Sequence, residues 1–158
     1  MFKSFRRYAM LVATMLLGMM LLVACGGSAA DPVARVDSFV KDMNSAFSDA
    51  KLTETATQEK WADTLSKYYV ADEQAAQKTE MLDALALLSS GSVKIEGAKF
   101  EKVSESGDAA EVKIVGGKMS MTLLGQTQEQ DLATSGISGS SSNIKLKKVD
   151  GTWYMTNK

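Results

Sequence analysis

The pattern of hydrophobic and polar positions changes its period along the chain. Tyr8 to Val23 is an unbroken uncharged run rich in Leu, Met, Val and Ala. From Val33 the apolar residues fall at three- and four-residue steps: Val33, Val36, Val40, Met43 and Phe47. Arg35, Asp37, Lys41, Asp42 and Asn44 fill the other side, so the spacing predicts an amphipathic helix over roughly 32–48. Asp31 is its N-cap, and Pro32 takes the first helical position, where the missing N–H costs nothing. Thr55 with Gln58 three residues on reads as a capping box for a second helix. Its apolar face is Trp61, Leu65 and Tyr68 or Tyr69. Met81, Leu82, Leu85 and Leu88 suggest a third, ending at Ser89-Ser90-Gly91. The periodicity leaves open whether the two join through Ala71-Asp72.

After Gly91 the period becomes two. Val93 and Ile95 alternate with Lys94 and Glu96, and beyond Gly97 the alternation continues through Ala98 and Phe100. Glu105-Ser106-Gly107-Asp108 is a turn. Ala110, Val112 and Ile114 share one strand face, and Met119, Met121 and Leu123 share one further on. Gly116-Gly117 between them reads as a bulge or kink in one long strand. Leu124-Gly125-Gln126 turns into a more polar strand around 127–133. A low-complexity Ser/Gly loop over 135–142 precedes Ile144 and Leu146, and Asp150-Gly151 marks a two-residue hairpin to a last strand with Trp153 and Met155. Helices first, then successive antiparallel strands, is an α+β order with the helices gathered on one face of the sheet.

The apolar run at the start has a different character. Lys3, Arg6 and Arg7 precede it, and at roughly 16 residues it falls short of the ~20 that cross a bilayer comfortably. It ends in Leu22-Val23-Ala24-Cys25, which holds the only cysteine of the chain. These four residues resemble the lipobox of bacterial lipoproteins. The resemblance implies that the Cys25 thiol carries a diacylglycerol and that signal peptidase II cuts between Ala24 and Cys25. Two acyl chains make such an anchor stable. The alternative is an uncut transmembrane anchor; both put the rest of the chain outside the cytoplasm. The expected division is a signal peptide over 1–24, a lipidated Cys and flexible tether over 25–30, and one folded domain over 31–158. Gly26 is not the Asp that retains many lipoproteins at the inner membrane. The outer membrane is thus open to it in a two-membrane host, and the outer face of the cytoplasmic membrane in a one-membrane host.

Composition narrows the function. The leader holds three of the 18 cations and none of the 19 acids, so the remainder carries 15 against 19, a net charge of −4. That balance argues against nucleic acid or an anionic membrane surface as the main partner. With Cys25 acylated, no disulfide forms within the domain. There is no histidine, which removes Ser-His-Asp and Cys-His nucleophilic systems, His-ligated zinc and the usual neutral-pH base.

Two features together carry a second resemblance. One is the opening helix with Asp31-Pro32 and Phe39. The other is the ending Ile144-Lys145-Leu146-Lys147-Lys148-Val149-Asp150-Gly151-Thr152-Trp153-Tyr154-Met155. The chain after its leader resembles small bacterial lipoproteins of the nuclear transport factor 2-like (cystatin-like) superfamily, in a branch known only as a domain of unknown function. The resemblance implies a strongly curved antiparallel sheet wrapping helices into a cone with an apolar pocket, and dimerisation through the sheet face. The Ser/Gly-rich segment 135–142 departs from the shorter connection usual there.

Candidate lining residues for such a pocket are Trp61, Tyr68, Tyr69, Met119, Met121, Trp153 and Met155, which also suit plain packing of helices on the sheet. Met119-x-Met121 could hold Cu(I) through thioethers, but one strand face is also what a core requires, and no metal or other cofactor is expected. Enzymes of that superfamily, of the ketosteroid isomerase type, use carboxylates and a tyrosine inside the cone. Here Tyr68, Tyr69, Glu96, Glu111 and Asp131 are available, and no spacing singles one out, so no catalytic residue is assigned. The expected function is a non-catalytic, lipid-anchored envelope module. It would bind a small apolar ligand or an envelope protein, with a homodimer through the sheet face as a further candidate. A His-independent isomerase-like enzyme is the alternative.

Overall fold

The computed structural model describes residues 28–123, 125–135 and 143–158. The signal peptide, Cys25, the start of the tether and most of the Ser/Gly segment lie outside the described residues. The architecture is α+β: helices first, then a strongly curled antiparallel sheet that forms a half-barrel. Ser28–Ala30, the end of the predicted tether, is a short 3-10 turn.

Helix α1 spans Pro32–Phe47. Asp31 caps it as expected, its Oδ1 accepting the Val33 N–H at 3.0 Å, and Val36, Phe39, Val40 and Ala46 are its buried stripe. Burying each of the larger of these contributes roughly 1.5–3 kcal/mol. The second and third helices are separate, α2 over Thr55–Ser66 and α3 over Gln74–Leu88. The capping box is not formed. Glu54 is the N-cap, without a side-chain bond, and Gln58 instead donates through Nε2 to the Leu52 carbonyl at 2.8 Å. Buried Leu52 draws the preceding loop inward, and that carbonyl takes the amide.

Tyr68 and Tyr69 lie beyond the C-terminal end of α2 rather than on its apolar face. The cause is tertiary. The strands are β1 Gly91–Ser106, β2 Ala109–Leu123, β3 Gln126–Asp131, β4 Asn143–Val149 and β5 Thr152–Thr156. Strand β5 has one edge beside β4, and segment 68–70 covers the other. Met155 N–H donates to the Tyr68 carbonyl at 2.8 Å, and Val70 N–H donates to the Met155 carbonyl at 3.0 Å. Those bonds satisfy an otherwise bare edge and stop the helix from continuing.

The sheet order is β1-β2-β4-β5, with β3 also on β2. β1 pairs with β2 in a long hairpin, kinked where two glycines meet. Gly97 has φ 61° and Gly117 φ 118°. A Cβ on Gly117 would stand 2.7 Å from the Ala98 Cα, so the close approach requires glycine. The register shifts there, between Glu96 and Lys99. The shift keeps Val93 and Ile95 on the buried side before the kink and Ala110, Val112 and Ile114 on it beyond. The polar stretch after β3 departs from expectation. Leu132–Ser135 is a helical turn, α4, not strand, because Leu132 is fully buried and Asp131 Oδ1 accepts the Ala133 N–H at 2.8 Å. The final turn matches: Asp150 (φ 50°) and Gly151 (φ 80°) are the left-handed pair of a type I′ hairpin.

The outer edge of β1 is covered at Ile95 by a side chain. Asn44 Nδ2 donates to the Ile95 carbonyl at 2.7 Å, and its Oδ1 accepts the Ile95 N–H at 2.8 Å. One amide thus stands in for a neighbouring strand and locks α1 onto the sheet. The core between helices and sheet is continuous. It joins Val36, Phe39, Leu65 and Leu85 to Ile95, Val112, Ile114, Leu146, Trp153 and Met155.

A candidate ligand cleft on the outer sheet face

The seven residues expected to line a cone pocket are brought onto the helix-facing side, where most pack into the core. Trp153 is wholly buried and Met155 nearly so. The Trp153 Nε1 has no hydrogen-bond partner among the described residues. Met119 and Met121, half-buried, stand opposite Ile95 and Val93 in register. Tyr69 meets Phe39 edge-to-face at 6.1 Å, and its phenol is pushed up to about 12 by burial and by Glu80 and Glu73. Trp61 sits on α2, its Nε1 donating to Asp49 Oδ2 at 2.9 Å. That bond, with the Lys51 N–H, holds the Asp49 carboxyl below the usual range.

Tyr68 belongs to a cluster that sequence reading did not assemble. Its hydroxyl donates to Asp42 Oδ2 at 2.6 Å, and the Arg35 guanidinium lies 4.1 Å from its ring centroid and 5.2 Å from that of Tyr154. Arg35 also donates to the Lys67 carbonyl at 2.8 Å. Burial first, then Asp42, pushes the Tyr68 phenol up to about 12, so its proton is held. Arg35 and Asp42 are seven residues apart, two turns of α1, and therefore share a helix face. That spacing is visible in the sequence, but it looks like any solvated stripe. Of the other carboxylates considered, Glu96 is exposed and pairs with Lys94 at 2.6 Å. Asp131 is exposed and caps α4. Glu111 lies elsewhere.

That place is a cleft of about 420 Å³. Strand register explains which residues reach it. Ser104, Glu111, Lys145 and Thr156 are directly opposite one another across β1, β2, β4 and β5, and so are Ser106, Ala109, Lys147 and Tyr154 in the next row. Alternation turns Val112, Ile114 and Leu146 toward the helices and these two rows away from them. All of the row residues but Tyr154 line the cleft, joined by Val70, Asp72 and Glu73 from the segment that wraps the β5 edge. None of the seven expected residues lines it.

The wall is fastened to the sheet. Glu73 is buried, and its two oxygens accept the Thr156 hydroxyl at 2.7 Å and the Asn157 N–H at 2.9 Å. Asp72 pairs with Lys158, which holds its carboxyl below the usual range. Glu111 takes the Asn143 amide at 3.3 Å. Lys145 and Lys147 make no ion pair among the described residues. Of the groups the sequence offers as candidates only Glu111 is here. No spacing marks it, because the site rests on the polar alternates of four strands, which look like any solvated face until their register is known.

Among the described residues, no group of three or more acidic or cysteine side chains could hold a metal ion, and no helix is long and apolar enough to cross a membrane. Comparison with known proteins gives no match, either to a protein-family model or to a curated protein.

Proposed function

We propose that this chain is a lipid-anchored, extracytoplasmic binding module of the bacterial cell envelope, non-catalytic and of the nuclear transport factor 2-like kind. Its ligand sits in the cleft on the outer sheet face rather than inside the cone. The observation that carries the reading is the contrast of filling. The space between helices and sheet is occupied by Trp153, Ile114 and their neighbours, while the opposite face holds a cleft of a size that suits a small ligand. The curled sheet around helices agrees with the superfamily resemblance, and the Leu22–Cys25 motif supports the anchor. Thr156, Glu73 and Asn157 give the cleft a rigid wall, which favours binding by limiting the ordering cost.

An enzyme reading would draw on the Tyr68–Asp42 contact. That pair does not line the cleft, and a phenol held protonated to about 12 is a poor acid or base at neutral pH.

Native mass spectrometry of the full protein extracted from its own membrane tests the proposal, with Ala109→Trp as the variant that fills the cleft. A bound small molecule present in the wild type and lost in the variant is the expected result. A ligand-free mass in both overturns it, and a dimer peak in its place assigns the sheet face to a second copy. The same samples report the anchor. Cys25→Ala is expected to lose the acyl mass and leave the membrane fraction, whereas an uncut variant still in the membrane selects the transmembrane anchor.

A further inference from the structure

The cleft continues past Lys147 into a second lobe of about 310 Å³, lined by Val70, Ala71, Asp72, Gln74, Lys147, Val149 and Tyr154. The two lobes share Val70, Asp72 and Lys147, so they adjoin, with Lys147 and Asp72 at the waist between them. Their chemistry differs. The first lobe gathers the hydroxyls of Ser104, Ser106 and Thr156 with Lys145 and Lys147. The second offers Ala71, Val149 and the Tyr154 ring around Val70. Val149 is 41 % exposed, one of three large hydrophobics left open to water among the described residues.

The charges of the groove are not equally free. Asp72 is neutralised by Lys158, both Glu73 oxygens are occupied, and Glu111 accepts the Asn143 amide. Glu111 stands opposite Lys145 in register, yet the two form no ion pair. Lys147 lies near enough to help lower the Asp72 carboxyl, but Asp72 bonds Lys158 instead. Glu73 and Glu111 keep their charge, since their partners are neutral donors, but their oxygens are engaged. Lys145 and Lys147, two residues apart on one strand face and ~7 Å along it, are the charged groups of the groove with neither a hydrogen bond nor an ion pair among the described residues.

Resting on the proposed binding role of this face, we infer that the groove takes a single-chain amphiphile with an anionic head. The head lies in the first lobe between Lys145 and Lys147, with the Ser104 and Ser106 hydroxyls as donors, since the Thr156 hydroxyl already gives its proton to Glu73. The apolar chain crosses the waist and covers Val149 and Tyr154 in the second lobe. A carboxylate and a phosphate head meet the same requirement, since lysine acts as a point charge toward either.

The test uses the full chain in lipid nanodiscs, with diazirine-bearing octanoate, octyl phosphate and octanol as photolabels mapped by peptide sequencing. Wild type, K145Q/K147Q and V149D are compared, so partition into lipid is common to all. The expected result is octanoate label around Val149 and Tyr154. Labelling is about tenfold weaker in K145Q/K147Q, the size of two partly exposed ion contacts, is weakened in V149D, and is weak for octanol throughout. Octyl phosphate labelling that matches or exceeds octanoate supports the same head site and identifies the headgroup. Octanol that labels the groove as well as octanoate, with no response to K145Q/K147Q, overturns the anionic head and leaves the groove a ligand site. Label only outside the groove overturns both.

Discussion

The two faces of the half-barrel are built from the same strands and do opposite things. On the helix side Ala110, Val112, Ile114, Leu146, Trp153 and Met155 are excluded from water, and the protein's own side chains occupy the space. On the other side Ala109, Glu111, Lys145, Lys147 and Thr156, each one residue away, form the floor and sides of an open groove. The first face specifies the fold and tolerates little change. The second carries almost no packing and can hold chemistry at little cost in stability. A site on the polar alternates of a sheet is therefore compatible with a filled cone.

The largest expected effect lies on the filled face. Trp153→Ala is expected to cost about 3–5 kcal/mol in denaturant unfolding, as truncation of a wholly buried aromatic does. A loss near zero would mean that the interior is not closed and would erase the contrast between faces. Next comes Asn44→Ala, which strips the Ile95 N–H and carbonyl of their partner and is expected to cost about 1–3 kcal/mol. The same variant should raise hydrogen exchange at the β1 edge, whereas Gln at this position, longer by a methylene, is expected to restore little.

Alkaline pH separates the faces more gently. In the unfolded chain the Tyr68 and Tyr69 phenols ionise near ~10, whereas in the fold both are pushed up to about 12. Through that window the unfolded state has released protons that the native state retains, so stability falls as pH rises from about 10 to 12. Tyr69→Phe is expected to flatten that slope when unfolding free energy is followed against pH, and an unchanged slope would refute a Tyr69 phenol shielded by the fold. The smallest effect belongs to the open face. K145Q/K147Q is expected to change stability by less than ~0.5 kcal/mol, and a larger loss would make those lysines part of the fold rather than free for a ligand.

The periods of the sequence carried much of the fold. Asp31-Pro32 and the Val33–Phe47 spacing located α1, the alternation beyond Gly91 located the strands, and Gly116-Gly117 and Asp150-Gly151 marked the kink and the last hairpin. These features were legible because each rests on contacts within a few residues, through caps, turns and side-chain alternation. What failed was decided at long range. Tyr68 and Tyr69 left the helix because Met155, more than eighty residues away, needed partners for its backbone. Gln58 gave up its capping role to the Leu52 carbonyl. Leu132 turned helical to reach the core. Asn44 read as an ordinary surface residue, although it covers the edge of β1 at Ile95.

The site shows the same division. By itself the sequence determined that β4 carries Lys145 and Lys147 on one face and that Glu111 alternates with core residues. Only the tertiary structure decided that Ser104, Glu111, Lys145 and Thr156 fall into one row, because register between strands is set by the whole hairpin and its bulges rather than by any one strand. Only the closing of β5 by residues 68–70 carried Val70, Asp72 and Glu73 round to wall that row, and no local spacing encodes a contact made across the sheet edge.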